Sequence, residues 1–275
     1  MIKLLIKLRQ ATNKHFGSIW ILLGRKARLL LSKKVFIRST QKKIGAYGPF
    51  KISPEFLFSD LEAWGRGHNN GFNQYIELSK DKLCILDIGA HVGLTILPLC
   101  EVSSDDAKIY GFEPSSKNFE ALKFNLELNN FDNVFLENCL VGEEDKLESL
   151  FFETDDISAT SSILDSESRN FDRTYKKQVS IDSYCKQHGL CPDLIKIDVE
   201  GAEINVLRGA QETLKKFKPL IFLSVHPNQL TQLGESEETL VEVIHSCGYS
   251  ISNVDGSKIE KFESIEYLMT VNKEH

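Results

Sequence analysis

Apolar and polar positions settle into one repeating pattern from the end of the first quarter of the chain onward. Leu83-Cys84-Ile85-Leu86-Asp87, Lys108-Ile109-Tyr110-Gly111-Phe112, Val134-Phe135-Leu136, Leu194-Ile195-Lys196-Ile197 and Leu220-Ile221-Phe222-Leu223 are short apolar runs of the length of buried strands. Between them lie stretches with helical spacing. One runs from about Gly93 to Cys100; a second opens at Pro114-Ser115, carries Phe119, Leu122 and Leu126 at i, i+3 and i+7, and closes near Asn129-Asn130. A third holds Ile204, Leu207 and Leu214. Strands alternating with helices predict an α/β fold, a mostly parallel sheet with helices on both faces.

The flanking regions read differently. Phe56, Leu57, Phe58, Leu61 and Trp64 predict a short helix leading into the turn Gly65-Arg66-Gly67. Glu153 to Arg173 is rich in Ser, Asp and Glu without sustained periodicity. A loop of that length is either a cover over a substrate or a solvated insertion, and the two readings weigh equally. Before Glu55 there is no acidic residue, while 13 of the 33 Lys and Arg lie there. We therefore divide the chain into a basic helical N-terminal extension, 1–54, and a catalytic domain, 55–275. Apolar residues such as Leu4, Leu5, Ile19, Trp20 and Leu29 are interrupted by Lys and Arg too often for the ~20-residue run of a membrane-spanning helix. The segment 1–43 suits peripheral contact with an anionic membrane surface or an accessory helix packed on the domain.

Charge narrows the partners. With the extension set aside, 20 basic residues face 39 acidic ones. A surface of that sign is ill suited to gripping a nucleic-acid backbone, so no nucleic acid is expected and a small-molecule or glycan substrate fits better. The six cysteines form no CxxC pair and no zinc-ligand spacing, and Cys84 and Cys100 lie in apolar runs as small hydrophobes. That usage suits a reducing, cytoplasmic setting, with peripheral membrane attachment left open.

Candidate chemistry gathers where strands end. The first predicted strand closes in Asp87-Ile88-Gly89-Ala90-His91-Val92-Gly93. Gly89 permits a tight turn with close ligand approach, Gly93 lets the next helix start against the strand, and Asp87 can attract the ammonium of an amino-acid ligand. A dinucleotide site would place glycines at positions 91 and 94, where this chain has His91 and Leu94, which argues against an NAD-dependent oxidoreductase. Glu113 ends the next strand, where a carboxylate accepts hydrogen bonds from both hydroxyls of a ribose. Asn138 and Cys139 follow the third strand as neighbours of a base, or as ordinary strand-end residues.

The runs CILDIGAHVGLT, FEPSSKNFEALKFNLELNN, DLIKIDVEGAEINVLRGAQETL and FLSVHP resemble the FkbM family of class I methyltransferases, in order from about Asn73 to Asn228. The resemblance implies a Rossmann-like, seven-stranded, mostly parallel sheet, S-adenosylmethionine as cofactor, and O-methylation of a hydroxyl on a sugar, glycan or natural product. It implies that Asp87, Gly89, Glu113 and Asp198 lie in or beside the cofactor pocket; Ala90, His91, Gly93, Pro114, Asn138 and Cys139 complete the candidate cofactor set by their places in the turn and at the strand ends. Ser224 departs from the family, in which many members carry a glutamate just before the His-Pro turn.

Methyl transfer from a sulfonium requires alignment of donor and acceptor and removal of the acceptor proton. Asp198 and His226 end the fourth and fifth predicted strands and can face one cleft. By unperturbed pKa, His226 is the better general base and Asp198 an orienting group or cofactor ligand. His91 competes for either role, and a purely structural histidine at the His226-Pro227 turn is equally consistent. Glu200 and Glu203 open the helix after Asp198, where the helix dipole accounts for Glu203 and leaves Glu200 able to face the cleft. Asp198, Glu200 and His226 are suitable metal-ligand types, but the spacing does not fix their convergence, so no metal is assigned. A non-catalytic protein that keeps the fold at a membrane surface is the remaining alternative.

Overall fold

The computed structural model describes residues 39–57, 59–66, 69–154 and 171–272. The N-terminal part of the basic extension with its proposed membrane contact, Phe58, Gly67 and the middle of the polar stretch at 153–173 lie outside the described residues. Among the described residues no helix is long and apolar enough to cross a membrane.

A seven-stranded sheet organises the chain. It contains β3 (Cys84–Ile88), β4 (Lys108–Phe112), β5 (Val134–Glu137), β9 (Leu194–Ile197), β10 (Leu220–Ser224), β11 (Tyr249–Asn253) and β12 (Glu266–Val271), in the order β11-β12-β10-β9-β3-β4-β5. β10, β9, β3, β4 and β5 run parallel, and β12 inserts antiparallel between β10 and β11. This is the expected Rossmann-like arrangement. From β3 the chain builds outward to β4 and β5, then returns to lay β9 and β10 on the other side. The strand order therefore reverses at the β3/β9 pair, the place where such sheets bind ligands beyond their carboxyl ends.

Alternation along the strands produces two cores. Leu86, Ile88, Ile195, Ile197, Ile221 and Leu223 face one side, against α4 (Ile181–His188), α5 (Glu203–Arg208), α6 (Gln211–Phe217) and α8 (Glu237–Ser246). Ile85, Leu194 and Phe222 face the other, with α1 (Phe72–Leu78), α2 (Ile96–Val102) and α3 (Ser116–Glu127). Helix α3 starts where the sequence places it, because the Ser115 hydroxyl accepts from the Asn118 amide at 3.4 Å as its N-cap.

Three regions depart from the sequence pattern. Residues 40–52, assigned by charge to a helical extension, form an antiparallel hairpin of β1 (Thr40–Ile44) and β2 (Tyr47–Ile52). Ile44, Phe50 and Ile52 are buried in the second core, and the hairpin is fastened to α3 by Asn125, which accepts from Ser53, and by Asn129, which bonds both backbone groups of Lys51. The packed unit thus begins before Glu55. The helix predicted around Phe56 to Trp64 is instead one 3-10 turn, Pro54–Phe56, followed by turns, and the helix of this region is α1. Finally, the polar stretch at 153–173 is flanked by long strands. β7 (Lys146–Thr154) and β8 (Phe171–Val179) pair antiparallel and, with β6 (Leu140–Val141), make a separate three-stranded sheet beside the cleft.

Candidate active site

A cavity of about 820 Å³ opens over the carboxyl ends of β3, β4, β9 and β10. Its volume lies within the range of small-molecule sites, roughly 300–1,000 Å³. Its two ends differ in construction.

The end over β3 and β4 is shaped by backbone. Gly89 has φ +88°, and a Cβ there would stand 1.8 Å from the Asp198 carbonyl oxygen, so β3 and β9 approach each other only because residue 89 has no side chain. The Gly89 and Ala90 amides both donate to the Phe112 carbonyl, at 2.9 and 3.0 Å. His91 follows in the left-handed region, φ 51°, uncommon for a residue with a side chain. That conformation turns its amide onto Glu113 Oε2 at 2.9 Å. The other Glu113 oxygen accepts from the Ser115 amide at 2.8 Å and from Asn118 at 3.4 Å. Burial outweighs these bonds and pushes the Glu113 carboxyl up to about 7. Phe112, Cys139, Leu140 and Val141 form an apolar wall beside it.

The end over β9 and β10 is made of charged side chains. Lys196, within β9, lies between two acids, 3.1 Å from Asp198 Oδ2 and 3.5 Å from Asp87 Oδ1. His226 caps α7 (Pro227–Gln232), and its Nδ1 donates to Glu203 Oε1 at 2.6 Å. Its Nε2 faces Asp198 Oδ1 at 3.7 Å and Glu200 Oε2 at 3.6 Å. Glu200 itself is left-handed, φ 52°, and accepts from Gln229 at 3.2 Å. Burial would lower the imidazole pKa, but the Glu203 hydrogen bond and the charges of Glu200 and Asp198 overcome it and raise His226 to about 9. The unperturbed value that favoured His226 as base therefore does not apply in this setting, where the imidazole is held as a cation. Burial likewise opposes ionisation of Asp198, yet Lys196 and His226 keep its carboxyl below the usual value. Glu200 is shifted upward, by burial first and then by its acidic neighbours.

Gly89, Ala90, His91, Glu113, Pro114, Cys139, Asp198 and His226 all line this one cavity. Three candidates lie behind its wall. Asp87 is fully buried under Lys196, with neither oxygen hydrogen-bonded, and its carboxyl is raised by burial. Gly93 packs against Leu122 of α3. Asn138 donates to the carbonyls of Glu113 and Pro114, at 2.8 and 3.1 Å, and so ties down the loop that carries Glu113. The residue whose part in the site the sequence does not disclose is Glu203, for which the helix dipole gives a sufficient local account. It is fully buried, and it lies one helical turn before the fully buried Leu207. A carboxylate on the apolar face of a helix needs a buried partner, and that was the available signal.

The model of the Methyltransferase FkbM domain matches residues 87–251, more than half of the chain, from the end of β3 into β11. The chain belongs to the FkbM methyltransferase family. It is similar to Methyltransferase 1 of Beauveria bassiana (strain ARSEF 2860), 27% identical over 151 residues, covering 48% of this chain and 60% of that protein. Among solved structures it is similar to Methyltransferase FkbM from Methylobacillus flagellatus KT, with TM-score 0.45 and 15% identity over 93% of this chain and 60% of the other. It is also similar to precorrin-6y C5,15-methyltransferase from Geobacter metallireducens GS-15, with TM-score 0.44 and 15% identity over 78% of this chain and 90% of the other. The chain thus spans 60% of the length of the first two relatives.

Proposed function

We propose that this FkbM-family protein is an S-adenosylmethionine-dependent O-methyltransferase whose acceptor is an uncharged hydroxyl compound, a sugar, glycan or natural product. The observation that carries the reading is the joining, in one cavity at the sheet's reversal point, of the backbone-held Glu113 carboxylate and the Asp198/Glu200/His226 group.

The residues fit the cofactor. Glu113 offers acceptor oxygens suited to ribose hydroxyls, and the wall of Phe112, Cys139, Leu140 and Val141 offers an apolar surface to a flat base. Bound S-adenosylmethionine would supply a methyl group on a positively charged sulfur. Asp60, Glu143, Glu144, Glu200 and Glu266 line the same cavity against Lys146 and Lys196, so its walls carry an excess of acid. That excess favours a cationic donor and disfavours a phosphorylated or carboxylated acceptor, nucleic acid included. Asp198 and His226 line the part of the cavity suited to orienting an acceptor hydroxyl, and Glu200, whose carboxyl is shifted upward by burial, is the neighbouring group able to take its proton; alignment of this kind is worth ~7–11 kcal/mol of barrier.

Calorimetric titration with S-adenosylhomocysteine tests the cofactor assignment. Saturable binding that weakens at least about tenfold in Glu113→Ala is the expected result, the size of a lost charged hydrogen bond. Folded wild-type protein that binds neither this compound nor S-adenosylmethionine overturns the reading.

A further inference from the structure

We propose that Asp198, Glu200 and His226 form a binding site for a divalent cation, whose open positions face the cavity and take the oxygen of the acceptor. One ligand atom from each of the three residues lies within 4.8 Å of the others. The gaps between His226 Nε2 and the two carboxylate oxygens, 3.7 and 3.6 Å, exceed hydrogen-bond length. They match the separation of two atoms that share one ion: metal bonds of roughly 2.0–2.2 Å at angles of about 90–120° set ligand atoms roughly 3–3.8 Å apart.

A second observation comes from outside these three residues. Glu203 is 0% exposed, places Oε1 on His226 Nδ1 at 2.6 Å, and has no hydrogen-bond partner for Oε2. A buried carboxylate on the far ring nitrogen keeps the Nδ1 proton in place, so that a bound ion would take the place of the Nε2 proton, and this is the usual support of a metal-bound histidine. It is also an extra negative charge at a place already rich in them. Among the described residues, Asp87, Asp198, Glu200 and Glu203 are met by Lys196 and His226, with His91 acting on Asp198 as well, and Lys196 is engaged by Asp87 and Asp198. A cation at the vertex of Asp198, Glu200 and Nε2 offsets that excess.

Two carboxylates and one imidazole favour a first-row ion such as Mn²⁺ or Zn²⁺ over Ca²⁺, which prefers an all-oxygen shell. Asp198, Glu200 and His226 all line the cavity, so positions of the ion not taken by protein face the space where an acceptor would lie. An ion there would hold the acceptor hydroxyl in place and make it more acidic. The binding site itself follows from the donor set alone; only the role of the ion in orienting the acceptor rests on the proposed methyl transfer.

The test is titration of chelator-treated full-length protein with Mn²⁺, followed by electron paramagnetic resonance of the free ion. The expected result is one Mn²⁺ per chain in wild type. Glu200→Gln and His226→Ala should each abolish it or weaken it at least tenfold, and Glu203→Gln should weaken it about 10–100-fold, as loss of the supporting carboxylate does elsewhere. Glu242→Gln, on the exposed face of α8, should leave it unchanged. Circular dichroism confirms that each variant is folded, and Glu200, partly exposed, is the variant least dependent on core packing. Absence of binding to wild type at millimolar metal overturns the proposal, as does binding that survives Glu200→Gln and His226→Ala in folded protein. S-adenosylhomocysteine affinity, measured alongside, reports on the Glu113 end and separates failure of the metal site from failure of the cofactor assignment.

Discussion

The two ends of the cavity hold their carboxylates by different means. Over β3 and β4, Glu113 is gripped by the amides of His91 and Ser115, and those amides are aimed by the tight turn at Gly89 and the left-handed His91. Over β9 and β10, Asp198 and Glu200 are met by the side chains of Lys196, His226 and Gln229, and Glu203 by His226 with one backbone amide, that of Gly201; the charges of Lys196 and His226 in turn need the acids. Backbone amides hold a ligand-binding acid at a fixed position with little dependence on neighbouring side chains. A mutual network of side chains is instead sensitive to every member, and each member sets the charge state of the next. The first arrangement suits recognition of an invariant cofactor; the second suits chemistry on an acceptor.

The comparison breaks most completely at Gly89, where both ends meet. A methyl group there would collide with the Asp198 carbonyl, and φ +88° is strained for any other residue. Gly89→Ala should cost about 4 kcal/mol or more of stability, the range of the most damaging single changes, read from the urea midpoint. A variant within about 1 kcal/mol of wild type would mean that β3 and β9 can separate without loss, contrary to the packing described.

Glu203→Gln should separate the ends functionally. The amide keeps the shape but loses the charge opposite Nδ1, so methyl transfer is expected to fall about 100-fold, within the span of general acid–base and orienting effects. S-adenosylhomocysteine affinity should stay within a factor of about two, because Glu203 touches no residue around Glu113. Equal losses in turnover and in affinity would show that the two ends act as one network.

Glu113 gives the reverse separation and carries a pH signature. Its carboxyl is raised from 4.5 to about 7 by burial, so the folded protein binds this proton more tightly than the unfolded chain. The resulting contribution to stability is complete below 4.5 and lost as the pH rises through 7. Ribose hydroxyls are better accepted by the ionised group, so S-adenosylhomocysteine affinity should instead increase across the same interval. Glu113→Gln should flatten both profiles and weaken binding about tenfold at pH 8. Titrations at several pH values with parallel denaturation curves check the pair of opposed slopes.

The same contrast governs what the sequence discloses. Strand-end positions are legible because apolar runs end abruptly, and Asp87, Glu113, Asp198 and His226 are found by that rule alone. What a strand-end acid does is not, since one residue of alternation decides which face it meets. Asp87 and Ile88 are adjacent, yet Asp87 is sealed beneath Lys196 while Ile88 lines the cavity. The seventh-strand topology came from resemblance rather than pattern, because β11 and β12 are polar enough to lack a plain apolar run. The hairpin at 40–52 was hidden by its charge: Lys42 and Lys51 dominate composition, whereas Ile44, Phe50 and Ile52 decide packing. Glu203 was assigned to the helix dipole, a local explanation sufficient for an exposed acid but not for one on the face of Leu207.

The smallest expected effect falls on Asn138, which the sequence suggested as a neighbour of the base and the structure places behind the wall. Its amide donates to the carbonyls of Glu113 and Pro114, and both bonds hold the loop that presents the Glu113 side chain. Asn138→Ala removes two donors without burying a charge, so a loss of about 1–2 kcal/mol in stability is expected. If the Glu113 end is fixed by amides alone, affinity for S-adenosylhomocysteine should change by no more than about threefold, because the His91 and Ser115 bonds persist. A loss as large as that of Glu113→Gln would show that the loop carbonyls matter as much as the amides, and that this end of the cavity is also a network in which one side chain sets the rest.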